Sequence, residues 1–269
     1  MRFSWERPAV SALGTPTPIL FAPDKKPVHP MTTTIELVPG VHAGFTRRHG
    51  SGSSEAPYDS LNLGTHVGDD REAVAANRVE AARGFGLDPA RVVWMDQVHG
   101  VEVAVARGPG AVGSVDAVVT VETGLALAVL VADCLPVLVA DPGTGVIGAA
   151  HSGRPGTVGN VAAQLLAAMA GLGADPARCT ALLGPSICGG HYEVPAELKE
   201  EVVRAVPEAG CTTFAGTPGV DIRAGVAAQL TRLGVTVRHD RRCTLEDPAL
   251  FSYRRDGRTG RFAGYVWRG

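Results

Sequence analysis

The run LALAVLVADCLPVLVADP (125–142) constrains this chain more than any other stretch. It reads as two strands, LALAVLVA and PVLVADP, with hardly a polar residue in either. Strands that alternate polar and apolar residues can face water on one side, whereas strands apolar throughout must be covered on both faces. RVVWM, VEVAVA, DAVVTV and GVIGAAHSG add further strands at close intervals, several of them almost as apolar. A chain of this kind needs layers on either side of its sheets.

The covering layers are also legible. REAVAANRVEAARGFG (71–86) spaces Val74, Val79, Ala82 and Phe85 on one helical face, with Glu72 near its start and a glycine at its end. NVAAQLLAAMAGLG (160–173), AELKEEVVRAV and GVAAQLTRLGV read as three more helices. TTIELVPGVHAGF (33–45) reads as two strands around a Pro-Gly turn, and CTALLGPSI, VTVRHD and RFAGYVWR complete the strand set. Consecutive strands mixed with helices fit neither a doubly wound nor an all-β fold. The expectation is a mixed α/β (α+β) fold: one domain of layered mixed β-sheets flanked by helices, spanning 32–269. Residues 1–31, Pro-rich and patternless, are expected to be a disordered extension or to precede a start at Met31.

Charge narrows the function. Twenty-five basic against 27 acidic residues give a net charge of −2, so there is no basic footprint for nucleic acid or an anionic membrane. No stretch approaches the ~20 apolar residues of a membrane span. A small-molecule substrate is expected, with monomer and homodimer both open. Five cysteines, odd in number and without framework spacing, suggest free thiols in the reducing cytoplasm.

Three segments concentrate the chemistry: MDQVHG (95–100), VADCLPV (131–137) and AAHSGRPGTVGN (149–160). Taken singly, His99 reads as a turn histidine and Cys134 as a small buried hydrophobe. His151 ends a strand ahead of a glycine turn. Taken together, two imidazoles and a thiolate at strand ends make a three-ligand zinc site with one position open, the arrangement of a catalytic zinc. Asp133 either orients a ligand or stabilises a loop. In GTHVGDD (64–70), Asp70 reads as a helix cap, while His66 and Asp69 are candidates to lie near the substrate as proton shuttles. Asn62 is turn chemistry or a polar anchor. Arg47, Arg48 and Arg154 stand in Gly-rich loops suited to a phosphate. The dense run FSYRRDGRTGR (251–261) reads as a solvated hairpin.

MDQVHG, VADC and AAHSG in this order, with YDSLNLGTHVGDD, GPSICGGHYEV, VDIRAGVAAQL and FSYRRDGRTGRFAGYVW, resemble the YfiH-type proteins from about Ile35 to the C-terminus. These have been labelled multicopper polyphenol oxidases or laccase-domain proteins, and are described as purine nucleoside phosphorylases or peptidoglycan editing factors. The resemblance implies a zinc on His99, Cys134 and His151, with copper as an alternative or adventitious metal. It also implies phosphorolysis of adenosine, inosine and methylthioadenosine, with deamination of adenosine as a side activity. Two departures stand out. The family's His-Ala-Gly-Trp-Arg-Gly is here His151-Ser152-Gly153-Arg154-Pro155-Gly156, which places the arginine one position early. Its Cys-Cys-Tyr-Glu-Val ends here as Gly190-His191-Tyr192-Glu193-Val194, so His191 replaces a cysteine and becomes an extra polar candidate for the pocket.

Three rival functions remain at this level. Cys134 as nucleophile with His151 or His99 as base would suit amide hydrolysis, including editing of a peptidoglycan precursor. A zinc-bearing interaction protein of the cell-wall machinery would need no turnover. A copper laccase needs many histidines in His-x-His pairs, and the eight here include none.

Overall fold

The computed structural model describes residues 32–269, so the extension expected over 1–31 lies outside the described residues. β1 (Thr32–Val38) and β2 (Val41–Thr46) pair antiparallel around the Pro39-Gly40 turn. A long loop then leads to α1 (Arg71–Gly84), where the Asp70 carboxylate caps the first turn by accepting from the Ala73 N–H. Seven strands follow: β3 (Val92–Trp94), β4 (Val103–Val105), β5 (Gly110–Ala111), β6 (Ala117–Thr120), β7 (Ala126–Val131), β8 (Leu135–Ala140) and β9 (Ile147–Ser152). The second half runs α2 (Arg154–Val158), α3 (Val161–Gly171), β10 (Thr180–Leu183), α4 (Ala196–Ala205), β11 (Gly210–Thr212) and β12 (Pro218–Val220). It ends with α5 (Ile222–Arg232), β13 (Thr236–His239), α6 (Tyr253–Asp256) and β14 (Phe262–Arg268).

Two six-stranded mixed sheets result, ordered β1-β2-β14-β7-β3-β5 and β13-β10-β8-β9-β6-β4, beside the small β11-β12 hairpin. They stack face to face, and helices cover their outer faces. The burial pattern explains the apolar runs. In β7, Leu127, Val129 and Val131 enter the inter-sheet core beside Leu138, Ile147 and Leu182 of the second sheet. Ala126, Ala128 and Leu130 face the other way, onto Ala81 and Ala82 of α1 and the Leu61 and Leu63 loop. In β8, Leu135, Val137 and Val139 face outward onto Leu165 and Met169 of α3 and Leu230 of α5. Both expected devices, sheet on sheet and helix on sheet, are therefore present in a single mixed α/β domain. Truncating a side chain of the inter-sheet layer, such as Leu138→Ala, removes contacts worth about 2–5 kcal/mol.

One expectation is corrected. FSYRRDGRTGR is not a solvated hairpin: it holds the one-turn α6, started by the Ser252 side chain accepting from the Arg255 N–H. The Arg255 guanidinium donates to the carbonyls of Thr244, Leu245, Asp247 and Leu250. A charge-dense segment reads as surface, but these charges are consumed by main-chain acceptors that the sequence does not reveal. Among the described residues no helix is long and apolar enough to cross a membrane.

Candidate active site

The two sheets meet at one end of the stack, where the chain passes from β7 to β8 through Ala132, Asp133 and Cys134. His99 comes from the loop after β3, and His151 from β9 in the second sheet. Thus all three expected ligands converge. Cys134 Sγ lies 3.9 Å from His99 Nε2, and the two imidazoles meet edge-on with centroids 4.7 Å apart. One donor atom from each of the three residues lies within 4.8 Å of the others. Gly153 is needed beside them: a Cβ there would fall 2.9 Å from His99 Cδ2 and 3.2 Å from Cys134 Sγ.

The residue that organises this triangle is Asp116, which precedes β6 and has no exposed surface. Its carboxylate accepts from the N–H groups of Val98 (3.1 Å), His99 (3.0 Å) and Gly100 (2.6 Å). It also accepts a hydrogen bond from His151 Nδ1 at 2.7 Å. The three N–H bonds hold His99 in a left-handed backbone conformation, φ 61°, which is uncommon for a residue with a side chain. The fourth holds the His151 ring by Nδ1 and leaves Nε2 as the nitrogen available to a metal, the way a carboxylate orients a metal-ligating histidine. Sequence reading passed over Asp116 because it stands at the head of the apolar strand DAVVTV. Gln97 adds a second anchor: its side-chain amide donates to the Leu130 carbonyl and accepts from the Leu130 N–H, both at 2.8 Å.

Electrostatics follow from this packing. Burial alone would raise the Cys134 thiol, but His151 and then His99 override it and bring the thiol down to about 6. Burial likewise disfavours a charged His151, yet the Cys134 thiolate and Asp116 raise it to about 9. Asp116 would be raised by burial, but its bonds to His151, Gly100 and Val98 leave it below the usual carboxylate range. Without a metal the pair is thus a thiolate beside an imidazolium. With the Nε2 proton of His151 released, thiolate and imidazole make a donor set of the softness zinc favours.

A cavity of about 430 Å³ opens over the three residues, within the range of small-molecule sites. Leu130, Val131, Ile187 and Ile222 give it apolar walls, and Tyr192 and Tyr253 supply rings. Two arginines also line it, Arg254 and Arg261. Arg254 lies over the Tyr192 ring, 5.2 Å from its centroid, and donates to the Glu193 carbonyl. His66 lines the cavity as expected, and burial together with Arg261 lowers its pKa.

The other sequence candidates fall elsewhere. Asp69 accepts from Ser54 and Asn62, and Asn62 accepts from the backbone N–H of Gly64 and of Arg261. These two brace the loop that sets Arg261 and do not line the cavity. Arg48 is spent on Asp59 and Asp256, with its guanidinium over Phe251, and Arg154 pairs with Glu201. Arg47, whose buried Nε has no hydrogen-bonding partner among the described residues, is likewise absent from the lining. His191 pairs with Glu246. Asp133, at φ 90°, does line the cavity, but its carboxylate accepts from Thr244 Oγ1 and the Arg254 N–H and so braces the loop. The cavity's cationic lining comes from the run that read as solvated.

Residues 42–269 match the family described as multi-copper polyphenol oxidoreductase laccase. A Streptomyces griseus protein named purine nucleoside phosphorylase is 58% identical over 239 residues, covering 87% of this chain and 97% of its own length. A Mycobacterium tuberculosis protein of the same name is 51% identical over 225 residues, covering 82% and 90%. Among solved structures, Bacillus licheniformis YfiH superposes with a TM-score of 0.83 at 30% identity, covering 90% of this chain and 97% of that one. YlmD of Geobacillus stearothermophilus gives 0.80 at 32% identity, covering 85% and 92%.

Proposed function

The chain belongs to the laccase-domain (YfiH) family, and from that premise we propose that it is a zinc-dependent purine nucleoside phosphorylase of the cytoplasm. Adenosine, inosine and methylthioadenosine are its substrates, with adenosine deamination as a side activity. One observation carries the reading: His99, Cys134 and His151 converge beneath a cavity that also presents His66, Arg254 and Arg261. Zinc held by the three residues supplies Lewis acidity beside the reacting centre.

The protein's own groups do the rest. The purine lies between the apolar walls and the tyrosine rings, and the arginines hold phosphate against the ribose. A phosphate oxygen forms a bond to C1′ as the bond from C1′ to N9 breaks. The bonding pair leaves with the purine, and the base collects a proton relayed through His66. Low-dielectric walls strengthen each of these interactions. The test is chromatography of free base released from the three nucleosides, with and without phosphate, alongside metal analysis. Phosphate-dependent release from protein carrying metal supports the reading; release independent of phosphate overturns it.

The lowered thiol of Cys134, beside a His151 oriented by Asp116, favours one second reading: a thiolate nucleophile with its base, suited to amide cleavage in a peptidoglycan precursor. The two readings use the same sulfur and exclude each other, because a thiolate bound to metal is not free to attack. Chelated, metal-free protein that cleaves amides and is alkylated at Cys134 by iodoacetamide supports the second. Loss of all turnover on chelation, restored by zinc, supports the first.

A further inference from the structure

Beside the cavity, two turns meet that share one construction. Cys188-Gly189-Gly190-His191 follows β10, and the N–H groups of His191 and Tyr192 both donate to the Cys188 carbonyl at 3.0 Å. Cys243-Thr244-Leu245-Glu246 follows β13, and the N–H groups of Glu246 and Asp247 donate to the Cys243 carbonyl at 3.2 and 2.9 Å. The turns are joined by a parallel bridge between Ser186 and Cys243, and by the Cys188 N–H donating to Cys243 Sγ at 3.3 Å. Their side chains meet too: His191 Nε2 lies 2.8 Å from Glu246 Oε1. Donor atoms of Cys188, His191 and Glu246 all fall within 4.8 Å of one another.

We infer that these paired turns form a second metal site, a structural zinc centre with Cys188, His191 and Glu246 as ligands and Cys243 as the fourth donor. Ligands three residues apart on a tight turn, supplied by two such turns, are how structural zinc sites are built. Thiolate, imidazole and carboxylate together select a borderline divalent ion over a hard one. A half-exposed His–Glu pair alone would be a surface contact worth about 0–1 kcal/mol, but that account gives no role to two cysteines brought against it. The Phe214 ring stands edge-on to His191 at 5.0 Å, and a Cβ at Gly190 would fall 2.3 Å from that ring. The ring thus packs directly against the first turn.

The location gives the ion a task. The first turn runs directly into Tyr192, and the second leads to Tyr253 and Arg254, so the centre ties together two segments that line the cavity. The Arg254 bond to the Glu193 carbonyl already bridges these segments.

The decisive experiment counts zinc in the intact, folded chain after dialysis against a weak chelator, with free thiols titrated in parallel. Wild type is expected to hold about two zinc ions and Cys134→Ala about one, while Cys134→Ala combined with Cys188→Ser holds none. Glu246→Gln leaves both thiols in place and is expected to release the second ion at least tenfold more readily. Cobalt loaded into Cys134→Ala should give a thiolate-to-metal absorption band that Cys188→Ser removes. The inference is overturned if folded Cys134→Ala protein retains no zinc, if Cys188→Ser leaves the count unchanged, or if two thiols are recovered only after reduction, which would make Cys188 and Cys243 a disulfide.

Discussion

The floor and the rim of the cavity are built on different principles. The floor is set by strand ends of both sheets and by one buried carboxylate that accepts four hydrogen bonds. The rim is set by loops far apart in sequence, with Tyr192 from one turn and Tyr253 and Arg254 from the one-turn α6. A floor of this kind holds groups that must not move during chemistry. A rim held by a few side-chain to main-chain bonds can be retuned for a different substrate while the centre is kept.

That contrast predicts a ranked set of effects. Asp116→Ala should be the most damaging change, because it leaves three main-chain N–H groups and the His151 Nδ1 without their acceptor. Losing a buried partner costs about 1–3 kcal/mol per group, so thermal unfolding should shift down strongly and bound metal should vanish. If Asp116→Ala unfolds at the wild-type temperature with full metal, the floor is not organised as described.

Cys134→Ala comes next. It should abolish metal binding at the triad and turnover, while circular dichroism stays that of the wild type. Full activity in metal-free Cys134→Ala protein would end the zinc mechanism and the thiolate alternative together.

At the junction of floor and rim, His66→Ala should lower kcat by roughly 10²-fold with little change in stability, as expected for a proton relay. Unchanged turnover would reduce His66 to a turn residue. On the rim, Arg254→Met should raise KM for phosphate by roughly tenfold and leave kcat nearly intact, since one bond to a charged partner is worth about 1.5 kcal/mol. A drop in kcat with KM unchanged would assign Arg254 to the floor's work. Outside both, Arg154→Ala breaks only an exposed pair with Glu201, and stability and KM should stay within about 0.5 kcal/mol of wild type.

The same contrast sets how much was legible in the sequence. His99, Cys134 and His151 could be read because each closes or follows an apolar strand, and a polar ligand type at such a place is conspicuous. The apolar runs of β7 and β8 could be read as buried on both faces for the same reason. Asp116 could not, since a lone Asp ahead of a strand looks like a loop residue until its four donors are seen. Arg254 and Arg261 were hidden by their neighbours: four arginines within eight residues resemble a solvated surface. Arg48 and Arg154, in glycine-rich loops, looked better suited to phosphate and turned out to be engaged by carboxylates. Local pattern reports whether a side chain is buried, but not which distant partner has already claimed it.

The passage of the chain from one sheet to the other at Asp133 and Cys134 has a mechanical consequence. His99 lies on the loop that leads from β3 of the first sheet to β4 of the second, His151 on β9 of the second, and Cys134 on the crossing between the sheets. An ion gripped by all three would act as a rivet through the sandwich, and the donor triangle would serve as a gauge of how the two halves are aligned. A slip of a fraction of an ångström between the sheets, too small to disturb their close-packed interior, would be felt first at the reacting centre.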